Sequence, residues 1–359
     1  MSDSPFLTPG QSRLRRQLKE ERRRKRRLAM LAALVGVLAA GAGAVALARH
    51  SPSAKHGGSK LVAKHAAKSA PHLSADGFAL SKPALALTGI QSPSSDPIQV
   101  EFKYPPRAGL LFNLGTGQVL WQRNPYERLH IASLTKMMTA LLTVESSKPS
   151  EPVLITKQAV DTSGSKVGVL PLGHHVKLET MLYGLLLPSG NDAAVALAQH
   201  VAGSVDGFVK RMNEEAARLG MGCTRYTSPS GYYNQGNYSC AADLAMLAHV
   251  DSEQPRIKRV VSTYAAILPF PIKGGKLYLY NNNPLLIYHY PGTTGMKTGF
   301  TESAGRCLVA TAERDGVKLG VVLLNSSAPG TQAKQLLDRG FKHVYHLKPV
   351  VEPPIPPGA

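Results

Sequence analysis

Ser133-Leu134-Thr135-Lys136 sets a hydroxyl and an amine three residues apart. On a helix, positions i and i+3 are neighbours on one face, so the Lys136 amine can reach the Ser133 oxygen. A serine hydroxyl is a weak nucleophile until a base takes its proton. A lysine serves as that base once burial or a nearby cation pulls its pKa towards neutrality. Taken singly the pattern is weak. Ser163-Gly164-Ser165-Lys166 repeats it in a Ser/Gly stretch that reads as a loop, and a lone Ser133 is an ordinary helix N-cap. Its company changes the reading. Ser189-Gly190-Asn191 follows 56 residues later, in the break between two helical stretches, where side chains project into a cleft. Lys297-Thr298-Gly299 comes 164 residues after Ser133, just ahead of a strand-like run. A glycine at such an edge lets a substrate backbone approach closely.

These three groups must be brought together by the elements around them. Ala108 to Leu114 and Gln118 to Gln122 are apolar runs around Gly115-Thr116-Gly117, a hairpin signal. Gly305 to Glu313 and Lys318 to Asn325 flank a second turn, Arg314-Asp315-Gly316-Val317. Between them lie helical stretches: one starting near Ser133, then Leu178–Leu187, Asn191–Val201, Val205–Leu219 and Ala241–His249. A last helix is expected over about Thr331–Val344. Neither terminal hairpin is stable alone, so the two are expected to join in one antiparallel sheet packed by helices. The fold class is therefore α+β, with a largely helical block inserted between N- and C-terminal strands.

The chain has 359 residues and a formal net charge of +19, but +12 of that falls before Asp76. A basic nucleic-acid-binding tail is disfavoured because an apolar run follows at once. Residues 1–27 form a basic segment ending in Arg22-Arg23-Arg24-Lys25-Arg26-Arg27, and Leu28 to Ala48 carries no charge. A helix of that length crosses a hydrocarbon core of about 30 Å, with its cationic flank left in the cytoplasm. The length favours an uncleaved anchor, while Ala46-Leu47-Ala48 fits a signal-peptidase pattern. Both readings export the rest of the chain. Residues 49–100 read as a flexible spacer, 101–348 as the folded domain, and 349–359 as a proline-rich tail. Cys223, Cys240 and Cys307 show no metal spacing. A Cys223–Cys240 disulfide is open to them in an oxidising compartment, and three small buried thiols is the favoured reading. No zinc pattern occurs among the histidines, and His174-His175 reads as loop.

The ordered trio resembles the motif set of penicillin-binding proteins and class A β-lactamases. More narrowly, Ile131 to Met138, Gly184 to Ala194 and Gly295 to Thr301 are similar to the low-molecular-mass penicillin-binding proteins, the D-alanyl-D-alanine carboxypeptidases of the S11 type. The resemblance runs from about Ala108 to Phe341 and implies a β-lactamase/DD-peptidase-like fold. It also implies roles. Ser133 attacks the bond between two D-alanines at the end of a peptidoglycan stem peptide, and Lys136 takes its proton. Ser189 relays a proton to the leaving amine, and Asn191 holds Lys136 and the substrate amide. Lys297 supplies positive potential and, with Thr298, receives the terminal carboxylate. The backbone N–H groups of Ser133 and Phe300, beside Gly299, form the oxyanion hole. β-Lactams are expected as covalent inhibitors, with no metal or cofactor.

Two departures stand out: the chain ends soon after the domain, and the arginine expected near the final helix is replaced by Gln332 and Lys334. The same residues would serve a DD-endopeptidase. A class A β-lactamase would need a deacylating glutamate, and Tyr226 to Asn234 holds no acid. Tyr232-Tyr233-Asn234 and Tyr280-Asn281-Asn282 are weaker candidates for the second motif. A non-catalytic wall-binding module would have no need of the full set.

Overall fold

The computed structural model describes residues 85–90, 96–232, 236–272 and 274–348. The basic segment, the apolar run Leu28–Ala48, most of the spacer and the proline-rich tail lie outside the described residues. Among those described, no helix is long and apolar enough to cross a membrane.

In chain order the strands are β1 (Ala108–Asn113), β2 (Val119–Arg123), β3 (Leu129–His130), β4 (Pro152–Leu154), β5 (His175–Lys177) and β6 (Tyr238–Ser239). They continue as β7 (Ala265–Pro269), β8 (Lys276–Tyr280), β9 (Thr293–Thr301), β10 (Gly305–Arg314) and β11 (Val317–Ser326). The helices are α1 (Lys136–Ser146), α2 (Lys157–Asp161), α3 (Leu178–Leu186), α4 (Asn191–Ala202) and α5 (Val205–Arg218). After them come α6 (Ala241–Glu253), α7 (Pro255–Val261), α8 (Pro284–Ile287) and α9 (Pro329–Arg339).

The two expected hairpins do join. Their strands form one five-stranded antiparallel sheet in the order β2-β1-β11-β10-β9. Alternate residues of each strand point to opposite faces, and the sheet accordingly divides two cores. Leu110, Phe112, Val309, Val322 and Leu324 face the helical block. Leu111, Leu308, Ala310, Val321 and Leu323 face α9, meeting Leu336, Leu337 and Phe341. In the helical block α4 is buried along most of its length, from Asn191 to Ala198. Small alanines there let α1, α3 and α5 pack closely around it.

Three expectations need correction. The spacer is packed at its C-terminal end: Leu85 and Ile98 are buried, and Thr88 exchanges backbone hydrogen bonds with Gly117 and Val119. Asp96 accepts from both the backbone and side chain of Gln122 at 2.8 Å. These segments cover the otherwise open edge of β2. His175 is the first residue of β5, not loop. Finally, Cys223 and Cys240 form a disulfide, leaving Cys307 as the one free, buried thiol.

Candidate active site

Ser133 lies in a 3₁₀ turn, Ala132–Thr135, that precedes α1; Lys136 is the first residue of the helix proper. A 3₁₀ turn has three residues per turn, so side chains at i and i+3 eclipse. That places Lys136 Nζ 2.9 Å from Ser133 Oγ. Ala132 enters the turn with φ +48°, a costly conformation for a residue with a Cβ and one that clusters at functional sites.

Lys136 is fully buried. Besides Ser133, its amine donates to Asn191 Oδ1 at 2.7 Å and to the Ser230 carbonyl at 2.8 Å. Burial pulls its pKa well down, the Lys297 ammonium pushes the same way, and the Asp192 carboxylate opposes both. A neutral amine has two N–H donors and one lone pair. With Asn191 Oδ1 and Ser230 O taking the donors, the lone pair is left facing the Ser133 hydroxyl.

Asn191 opens α4 directly after the α3–α4 break. Its Nδ2 donates to Ser163 O at 2.7 Å, and its backbone N–H donates to Ser165 O at 2.7 Å. Asp192 completes the clamp, accepting from the backbone N–H groups of Val167 and Gly168. The Ser163–Lys166 stretch is a loop, as expected, and it fixes Asn191. Ser189, in the break itself, has φ +68°. Its hydroxyl is buried, lines the cleft beside Ser133 and finds no hydrogen-bond partner among the described residues.

The third group lies on the edge strand β9, which runs past the Ser133 turn. Thr298, Gly299 and Phe300 line the same cleft as Ser133 and Ser189. Lys297 sits behind them, buried, with Nζ donating to Thr298 O at 2.9 Å. Burial lowers its pKa to about 7. Of the eight candidate residues, five line the cleft, and Lys136, Asn191 and Lys297 stand in the wall behind.

Residues outside the three motifs complete the cleft. Ser165, Asn282, Tyr288, Arg306 and Ser327 also line it. Arg306 lies opposite Phe300 in the β9–β10 register, and its guanidinium donates to Ser327 O at 2.9 Å. Gln332, noted where an arginine was expected, is a structural pin: it accepts from Ser326 Oγ and donates to Tyr104 O. Tyr280-Asn281-Asn282 ends β8, and Asn281 ties Val261 and Thr263 together. Tyr233 and Asn234 lie outside the described residues.

Known proteins resemble the chain over this domain. Residues 100–328 match a peptidase family described as D-alanyl-D-alanine carboxypeptidase. The chain is 34% identical over 258 residues to the D-alanyl-D-alanine carboxypeptidase DacF of Bacillus subtilis, a match covering 70% of this chain and 65% of that protein. It thus spans just under two thirds of that relative. It is also 34% identical over 235 residues to a D-alanyl-D-alanine endopeptidase of Pseudomonas aeruginosa, covering 61% of this chain and 75% of the relative. The crystal structure of the Streptomyces K15 DD-transpeptidase superposes with a TM-score of 0.63 at 32% identity, over 68% of this chain and 99% of the other.

Proposed function

The chain belongs to the D-alanyl-D-alanine carboxypeptidase family of serine peptidases, and from that premise we propose that it removes the terminal D-alanine of peptidoglycan stem peptides through an acyl-enzyme on Ser133. The observation that carries the proposal is the lysine between its three partners. Lys136 Nζ, stripped of water and held by Asn191 Oδ1 and Ser230 O, faces Ser133 Oγ at 2.9 Å.

In the first step Ser133 gives its proton to Lys136 as its oxygen attacks the carbonyl of the penultimate D-alanine. The negative charge that develops on the carbonyl oxygen falls to the backbone N–H groups of Ser133 and Phe300, which act without reorganising. Ser189 has a free hydroxyl at the cleft and carries the proton from the lysine side to the departing amine. The D-alanine leaves, and water reverses the sequence on the acyl-enzyme. Thr298, with the field of the Lys297 ammonium behind it, receives the terminal carboxylate; Arg306 is the cationic side chain at the same mouth. A β-lactam mimics the same dipeptide end and should be trapped on Ser133 when its ring opens.

Deacylation should be slow compared with a β-lactamase. Glu215 is engaged by Arg218 in the next turn of α5, and Glu214 pairs with Lys210. Neither lines the cleft. The endopeptidase reading uses the same residues and is favoured by the name of the Pseudomonas relative. We place the domain outside the cytoplasmic membrane, with residues 1–27 inside and Leu28–Ala48 as anchor or signal segment. The test is a pair of assays on the purified chain. One follows release of D-alanine from a pentapeptide ending in D-Ala-D-Ala; the other follows cleavage of a crosslinked dimer. Turnover of the dimer alone would replace the carboxypeptidase reading with the endopeptidase one.

A further inference from the structure

The Cys223–Cys240 disulfide closes the loop that runs from α5 to α6 over residues 224–239. We infer that this crosslink is a positioning element for the Lys136 amine, acting through the loop it closes. The inference rests on Lys136 as the base of the proposed reaction.

The path from sulfur to amine is a chain of short contacts. At the foot of the loop, Asp243 in the first turn of α6 accepts from the Cys223 backbone N–H at 2.8 Å and from Thr224 Oγ1 at 2.6 Å. Arg225 and Tyr238 exchange backbone hydrogen bonds at 3.0 and 3.1 Å across the neck. Above them, Asn237 is fully buried and ties the two sides together. Its Oδ1 accepts from Thr227 Oγ1 and Ser228 N–H, and its Nδ2 donates to Ser228 Oγ at 3.0 Å and to Thr135 Oγ1 at 3.3 Å. At the tip, Ser230 O receives the Lys136 amine, and Pro229 O receives the Thr139 hydroxyl at 2.7 Å. Gly231, at φ +72°, presses on the nucleophile's own turn: a Cβ there would stand 1.9 Å from Ala132 O.

The loop contains no helix among its described residues; its two sides are bridged at Arg225–Tyr238, and two-residue β6 pairs outward with β3. A crosslink at the foot of such a segment restricts the conformations open to all of it. What it protects is specific. Ser230 O is one of two acceptors that turn the amine's lone pair towards Ser133, and the loop tip is part of what keeps water from Lys136. Loosening the tip frees one N–H and admits solvent. The charged groups that act on the amine from the other sides, Lys297 of β9 and Asp192 of α4, stay where they are. The amine should then hold its proton to higher pH.

The test compares acylation by a fluorescent penicillin across pH in three forms of the full chain. They are the oxidised wild type, the double variant Cys223→Ser/Cys240→Ser, and wild type reduced with dithiothreitol. In the last, the reagent gives up two electrons and two protons, closes to its cyclic disulfide and leaves two cysteine thiols. All are measured well below their unfolding midpoints, with circular dichroism to show that the fold persists. Opening the crosslink should move the acidic limb of the profile up by about one pH unit and slow acylation about tenfold on that limb. The deficit should narrow as pH rises. A crosslink that merely stabilises the fold would lower the melting temperature and leave the limb in place, and that result would overturn the inference. So would global unfolding of both opened forms at low temperature, because the bond would then be holding the whole domain. Failure of the underlying reading looks different: the oxidised wild type would itself not be acylated.

Discussion

Gly299 of β9 and Ser133 of the 3₁₀ turn lie against each other so closely that a Cβ on Gly299 would stand 3.1 Å from the Ser133 backbone nitrogen and 2.9 Å from Ile131 O. This contact sets the distance between the nucleophile's turn and the strand that carries Thr298 and Phe300. A methyl group there must push one of them away by a few tenths of an ångström. Gly299→Ala should therefore slow acylation by about 10²-fold, the scale for a misplaced oxyanion donor. The melting temperature should change little, since β9 is an edge strand with room to shift. Stopped-flow acylation beside a thermal melt checks both.

Lys136 must lose its proton to act. An arginine there stays charged at any accessible pH. Lys136→Arg should reduce acylation by about 10³-fold, within the range for loss of a general base, and the deficit should not recover at alkaline pH. A rate restored above pH 9 would show that water or hydroxide, and not the side chain, takes the serine proton.

Lys297 gives the profile its other limb. Its pKa, lowered by burial to about 7, means that the ammonium is present below that pH and fades above it. Lys136 is competent on the opposite side, once it is neutral. Activity in kcat/KM should rise with pH as Lys136 deprotonates and fall above about pH 7 as Lys297 loses its charge. Lys297→Arg keeps the charge, so its profile should lack the alkaline limb whatever its absolute rate. A limb that survives at the same pH would assign it to another group.

Asp251 of α6 tests the electrostatics of the core. It is fully buried, and neither carboxyl oxygen has a hydrogen-bond partner among the described residues. Burial holds its pKa well above the usual carboxylate value, with Glu145 adding to the shift. The native state therefore keeps a proton that the unfolded chain releases as pH rises past 3.8. Stability from this group is intact below that pH and is lost progressively up to the folded pKa. Asp251→Asn removes the loss. It should raise the melting temperature at neutral pH by about 3 °C or more, and leave it unchanged in acid below the unfolded pKa.

Much of the molecule was legible where residue types alternate or repeat. The apolar runs of β1, β10 and β11 announced the central sheet, and the alanine-rich stretch after Asn191 announced α4. The first two motifs fell at element boundaries, while Lys297-Thr298-Gly299, expected just ahead of a strand, lies inside β9; the structure gathers all eight candidate residues around one cleft. What escaped was backbone and pairing. Ser230 and Ser165 act through carbonyls, which any residue supplies, so no side chain marked them. The loop over 224–239 has no period to read, and cysteine spacing alone did not decide between a disulfide and free thiols. The segments around Leu85 and Ile98 look like spacer in composition, yet they pack because β2 offers an unpaired edge. The helix expected from Ser133 begins instead at Lys136, and that difference of one 3₁₀ turn puts the amine directly over the hydroxyl.

The central claim is that Ser133 forms the acyl-enzyme. Mass spectrometry of the chain after exposure to a penicillin, followed by peptide mapping, tests it most directly. One adduct on the peptide containing Ser133, persistent over minutes and missing from Ser133→Ala, is the expected result. An unmodified Ser133 peptide, or an adduct that forms equally in Ser133→Ala, would contradict it.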